Sequence, residues 1–373
     1  MKASTSVLLG GLALANLQAQ TFIVDINNGP GTHYTSLATA ATNAPDGAVL
    51  IVRTGAYPAF SISGKGMKVI ADGVVTVFGG NPNAAAMTVV GVPAGKSVVI
   101  QGLTAASGLA GWPGRVELTN CQGTVLLDRL GVSPFVSGQL SVQQCSGVLV
   151  RDALSLAAAL RTEVSQSNVV FENSRINANS GSALTVAGGT VQIRDCDVLA
   201  GIFVAPANAI AMTGGEVRLL GSTTLQAGIA SLPQTCIGGT GTVRYEPTVA
   251  FTGGAPFGPN IVAAASVMPR MRATFASGQV AAELHGEPGS IGVIAVGVIG
   301  QPVPLPGILD PLWIDAGSMF LPSFGVLGPG APVTHNLPWV NGPVPAVRAV
   351  WQGVVLDAAG GMQISNPSLA ILP

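Results

Sequence analysis

The chain has 373 residues, enough for two domains, of which 9% are charged, 50 are Gly and 26 are Pro. That composition excludes a disordered or mainly helical protein and points to short strands separated by many turns. A formal net charge of -1 excludes a nucleic-acid partner, which needs a basic face to displace counterions.

In chain order, residues 1–19 read as a secretory signal. Lys2 supplies the positive start and Val7 to Ala15 the apolar stretch. Either Ala13-Leu14-Ala15 or Leu17-Gln18-Ala19 supplies the small-residue cleavage site. The expected location is therefore secreted or at the cell surface. No later stretch is continuously apolar for the roughly 20 residues a membrane span needs, so none is expected. Thr21-Phe22-Ile23-Val24 alternates as a first strand, and Gly29-Pro30-Gly31 turns the chain. Leu37, Ala40, Ala41 and Ala44 then recur at helical spacing until Pro45-Asp46-Gly47 stops them, and Val49-Leu50-Ile51-Val52 follows as a strand.

From Ser97 to Leu225 one phrase returns six times, an apolar triplet followed by polar residues. It reads Val98-Val99-Ile100-Gln101-Gly102, Val125-Leu126-Leu127-Asp128-Arg129 and Val148-Leu149-Val150-Arg151-Asp152. It continues as Val169-Val170-Phe171-Glu172-Asn173, Val191-Gln192-Ile193-Arg194-Asp195 and Val217-Arg218-Leu219-Leu220-Gly221. The first valines lie 27, 23, 21, 22 and 26 residues apart. A weaker strand phrase precedes several of them, as in Val116-Glu117-Leu118, Leu140-Ser141-Val142 and Leu184-Thr185-Val186. Several short strands per repeat of that length define a parallel β-solenoid, one coil per repeat. The first and third residues of each triplet should point inward and stack as apolar rows, worth roughly 1.5–3 kcal/mol per large side chain. The short helix ahead of the first coil covers an otherwise open edge and end.

The opening resembles the pectin-lyase-like superfamily of right-handed parallel β-helix proteins. The resemblance rests on Thr35-Ser36-Leu37, Ala44-Pro45-Asp46-Gly47, Ile51-Val52-Arg53-Thr54-Gly55-Ala56-Tyr57 and Lys65-Gly66-Met67-Lys68-Val69-Ile70. With the repeats it extends over roughly 21–249. It implies a fold and leaves the activity open, because that fold serves lyases, esterases, hydrolases, adhesins and inert proteins.

Between Thr252 and Pro269 the repeat is lost in favour of Gly, Pro and Phe, so residues 253–269 are expected to be a linker. Beyond it Met271, Ala273 and Phe275 alternate, Ser277-Gly278 turns, and Val280, Ala282 and Leu284 return as a hairpin. Strands are further expected at 291–298, 319–326, 347–356 and 368–372. The fold expected is all-β: a right-handed parallel β-helix over 20–252, with a capping helix, followed by a small antiparallel β-sandwich over 270–373. Leu312-Trp313-Ile314-Asp315, Val350-Trp351-Gln352-Gly353 and 356–361 look like C-terminal β-sandwich modules of secreted bacterial proteins, a resemblance that brings no activity with it.

The position after the triplet reads Gln101, Asp128, Arg151, Glu172, Arg194 and Leu220, and the next includes Arg129, Asp152, Asn173 and Asp195. Stacked coil on coil, charges alternate. One reading is a polysaccharide groove, with Asp128, Arg151, Asp152 and Asp195 as candidate catalytic residues and Glu172 and Arg194 as candidate binding residues. The other is charge pairing between neighbouring strands, which stabilises by tenths of a kcal/mol, about what exposed pairs contribute.

The superfamily's hydrolase motifs (Asn-Thr-Asp, Asp-Asp, Gly-His-Gly, Arg-Ile-Lys) do not occur in the chain. A lyase-like calcium site would have to use Asp195-Cys196-Asp197 with Glu172, Asn173 and Asn177. An esterase-like site would use Asp128, Asp152 and Arg151. Otherwise no cofactor is expected. His33, His285 and His335 lie too far apart in sequence to suggest zinc. Trp112, in an insertion that lengthens one coil, either stacks on a sugar ring or plugs a coil corner. Trp313, Trp339 and Trp351 fit a sandwich core or its rim. Cys121 and Cys145 occupy matching points of successive coils and form either a disulfide or a ladder of buried thiols.

Two functions follow as expectations. One is a non-catalytic exported protein binding polysaccharide or neighbouring surface proteins. The other is a carbohydrate-active enzyme, of lyase or esterase type, with its groove on the β-helix.

Overall fold

The computed structural model describes residues 20–371 except 81–83, 108–113, 133–138, 154–160, 179, 202–206, 229–233, 266–267, 277, 304, 307, 309–310 and 339–347. The expected signal at 1–19, Trp112 and Trp339 lie outside the described residues. Among the described residues no helix is long and apolar enough to cross a membrane.

The chain is all-β, with a single short helix among the described residues, and its first part is a parallel solenoid of about 8 turns. The strand Thr21–Val24 lies beside Val49–Pro58 and opens the stack. Ahead of the coils, helix Leu37–Asn43 starts on Ser36, whose hydroxyl accepts the Thr39 N–H, and buries Leu37, Ala40 and Ala41.

The repeat phrase aligns in register. Met67, Val98, Val125, Val148, Val169, Val191, Val217 and Val243 form one inward row. Val69, Ile100, Leu127, Val150, Phe171, Ile193, Leu219 and Tyr245 form the second. Apart from Tyr245, which packs against the end of the core, both rows are buried in one continuous cluster. Burial on this scale, repeated coil after coil, is what holds a quasi-one-dimensional fold together.

Corners recur at fixed points because the backbone turns there through the left-handed region. One corner places Gly91, Asn120, Gln144, Gln166 and Gly188 at positive φ; the other places Gly102, Arg129, Asp152, Asn173, Asp195 and Gly221 there. Gly, Asn and Asp tolerate that conformation better than other residues.

Polar ladders line the corners. The Cys145 N–H donates to Ser167 Oγ, whose hydroxyl donates to the Ser165 carbonyl. On the other side the Ala153 N–H donates to Ser174 Oγ and the Cys196 N–H to Thr223 Oγ1. Cys121, Cys145, Cys196 and Cys236 are all buried free thiols, so Cys121 and Cys145 form the ladder and not the disulfide. Burial pushes the Cys196 thiol up to about 12.

The stretch expected to be a linker instead carries two strands. Ala255–Phe257 and Ile261–Ala265 both pair in parallel with Thr235–Tyr245 and add to the solenoid. Aromatic packing accompanies the loss of the repeat: Phe257 of this stretch and Phe251 just before it pack with Tyr245 at ring separations of 5.3 and 5.7 Å, closing the end of the core. A terminal coil must cover its neighbour, so it departs from the repeat.

The C-terminal module is built of separate antiparallel sheets. Arg270–Ala276 pairs with Gln279–His285 in the expected hairpin, joined by Val333–Pro338. A second sheet runs Phe320–Val326, Ile291–Gly297, Arg348–Leu356 and Met362–Ile364, with Ser368–Ile371 also on Arg348–Leu356. Met271, Val280, Leu284, Ile294 and Trp351 are buried between the two sheets, in a sandwich-like core distinct from that of the solenoid.

A third buried cluster joins the two parts. The middle residue of the repeated triplet faces outward, and its row reads Lys68, Val99, Leu126, Leu149, Val170, Gln192, Arg218 and Arg244. The four apolar members pack against Ala295, Trp313, Ile314 and Val350 of the module. Two further details fix the contact. Thr124 Oγ1 donates to the Gly300 carbonyl at 2.8 Å, and a Cβ on Gly147 would sit 2.5 Å from Pro302. Only glycine leaves room there for the module to come this close.

Candidate functional site

Beside the apolar row, the charged row aligns as the spacing predicts. Gln101, Asp128, Arg151, Glu172, Arg194 and Leu220 are successive neighbours on adjacent strands. Where the module overhangs this row, a cleft of about 380 Å³ opens. Arg151, Asp152, Glu172, Arg194 and Asp195 line it from the solenoid, and Arg272 and Thr274 from the module. Of the catalytic candidates, Arg151, Asp152 and Asp195 come together there, with both binding candidates, Glu172 and Arg194. Asp128 does not line it. It is fully buried one coil away, with its oxygens 3.0 Å from Arg151 Nε and 3.3 Å from Arg129 Nε.

Most of the charges are already paired. Arg151 Nε lies 3.3 Å from Asp152 Oδ2, while Asn173 Nδ2 donates to Asp152 Oδ1 at 2.5 Å. Arg194, almost wholly buried, lies 3.2 Å from Glu172 Oε1 and 3.1 Å from Asp195 Oδ2, and its Nη1 donates to the Met271 carbonyl of the module. Asp195 Oδ1 accepts both the N–H and the hydroxyl of Ser222. Burial works against the Asp195 carboxylate, yet the Ser222 N–H and Arg194 hold it below the usual range.

Glu172 is only half engaged, by Arg194 at Oε1. Its Oε2 is buried without a hydrogen-bond partner. Burial raises its pKa above the ordinary value, with Arg194 and Arg151 pulling the other way. Facing it across the cleft is Arg272, exposed, with no partner among the described residues.

The calcium set does not fit this geometry. Cys196 is buried between Asp195, which is committed to Arg194 and Ser222, and Asp197, which starts the strand Asp197–Leu199 in a separate sheet. Among the described residues no group of three acidic, His or Cys side chains could hold a metal ion.

One contributor to the cleft, Arg272, carries no mark in the sequence. Arg272 belongs to the hairpin, and nothing in its neighbourhood marks it as facing the solenoid. The corner position was legible: Gly102, Asp152, Asn173, Asp195 and Gly221 share one column, and that choice of residues is the signature of positive φ as much as of acid chemistry.

No protein-family model matches the chain, and no curated protein matches it. Among solved structures it is similar to a chain described as "Geobacillus virus E2 - ORF18", at 11% identity and a TM-score of 0.33, covering 94% of this chain and 76% of that one. Likeness at that level carries no argument about function.

Proposed function

We propose that this is a secreted or cell-surface protein with a right-handed, pectin-lyase-like β-helix, and that it binds polysaccharide without cleaving it in the cleft under the C-terminal module. The carrying observation is that both oxygens of Asp152 and of Asp195 are occupied by Arg151, Asn173, Arg194 and Ser222. Groups held in this way are fixed hydrogen-bonding partners for sugar hydroxyls, and unsuited to trading protons during a reaction. Arg272 adds an unengaged donor at the rim.

One observation favours the enzymatic alternative. A buried Glu172 with a raised pKa and a bare oxygen is the state of a general acid. The two readings separate in one experiment. The purified protein is run through gels cast with pectin, alginate or neutral glycans, and parallel incubations are assayed for new ends, with and without calcium. Retarded migration, weakened by Arg272→Ala and by Asp152→Asn, with no product, is expected. Absence of retardation on every glycan, or product formation abolished by Glu172→Gln, overturns the proposal.

A further inference from the structure

The outer face of the module's larger sheet is used at one end and bare at the other. Ala295 and Val350 of this face are buried against the solenoid. Further along the same strands, and on the same side of the pleat, Val326, Ile291, Leu356 and Met362 stand side by side across four strands. All four are exposed, Val326 at 70%, and Phe324, two residues from Val326 on the edge strand, is 80% exposed. The edge strand Phe320–Val326 carries no charged residue, and its edge is guarded by Pro322 and an irregular pairing, while its exposed face is left apolar.

We infer that this face pairs with the same face of a second copy, giving a two-fold dimer with sheet packed on sheet. Two considerations select that occupant. First, the five side chains expose on the order of 500 Å², at roughly 180 Å² for a fully exposed large side chain. A pair of such faces therefore removes about 1,000 Å² from water, the threshold of a specific interface. Second, an apolar face needs an apolar partner. Among the described residues of the solenoid, the large exposed apolar side chains Ile26, Val74 and Val262 lie on three separate strands or turns, and the module's remaining ones are Val298, Val303, Met319, Phe320 and Leu321. A second copy offers the same face as a match of equal extent, and a surface that complements itself closes as a two-fold pair.

Sedimentation velocity and light scattering of the full chain between about 1 and 100 μM test this. The weight-average mass should climb from monomer towards dimer. Phe324→Lys and Val326→Lys, each at an exposed edge position, should weaken the dimer at least tenfold without altering the circular dichroism melt. Val262→Lys, on the solenoid, should leave it unchanged. A monomer at every concentration, a dimer indifferent to both edge variants, or a monomeric chain that engages a different protein through this face overturns the inference.

Discussion

Leu149 and Val150 are adjacent on one strand, are both fully buried, and serve different interfaces. Val150 points into the solenoid between Leu127 and Phe171, whereas Leu149 points out and is covered by the module beside Trp313. Leu149→Ala should cost about 2–3 kcal/mol, the lower part of the core range, because two docked parts can close over a lost side chain. Leu149→Asp adds several kcal/mol for an unpaired buried carboxylate, and the module relieves that cost by lifting off. The same change one residue on, Val150→Asp, has no such escape and should open the coils themselves. Limited proteolysis followed by mass spectrometry, tryptophan emission and circular dichroism distinguish the two. Leu149→Asp should release the module as an early fragment and shift Trp313 emission to the red, while the solenoid's β signal and melt persist. If the two variants unfold alike, or if Leu149→Asp leaves emission and proteolysis unchanged, the assignment of the outward row to module docking is wrong.

Removing Arg194 by Arg194→Ala should lower stability by about 3–5 kcal/mol, since Glu172 is then left buried without its cation; the double variant Arg194→Met/Glu172→Gln should recover much of that loss in denaturant titrations. Stability should also depend on pH with a defined sign. Folded Glu172 takes up its proton above the ordinary 4.5, so between that value and its raised one the folded state binds more protons, and stability rises on acidification. Asp195, held down by Ser222 and Arg194, and Asp46, held down by Lys96, reverse the trend below 3.8, where their protonation removes stability. Glu172→Gln should abolish the first slope and keep the second in denaturation midpoints measured from pH 3 to 8. At the corner, Asp152→Gly should retain the fold within about 1 kcal/mol, whereas Asp152→Val should cost about 1–2 kcal/mol for a β-branched residue at positive φ; thermal melts compare them. Thiol titration should find Cys121, Cys145, Cys196 and Cys236 inert in the native protein and four reactive groups in denaturant, and fast native labelling would contradict their burial.

What could be read along the chain was whatever repeats or alternates. A column of valines at intervals of 21–27 residues sets coil length, register and inward rows together, because a one-residue slip would turn every buried side chain outward. The capping helix, the first hairpin of the module and the alternation of charge down Asp128, Arg151, Glu172 and Arg194 were legible for the same reason: each is local, or recurs at the repeat. Folding in three dimensions decided how the pieces meet. The apolar run from Val99 to Val170 marks an outward row that something must cover, but nothing local says what covers it, or that Gln192 and Arg218 of the same row are buried too. Arg272 reaches the cleft only because a hairpin distant in sequence docks over the charged row. The columns of the solenoid are properties of the chain's own period, whereas the cleft and the bare sheet face arise from one body lying on another, and no period in the sequence encodes that.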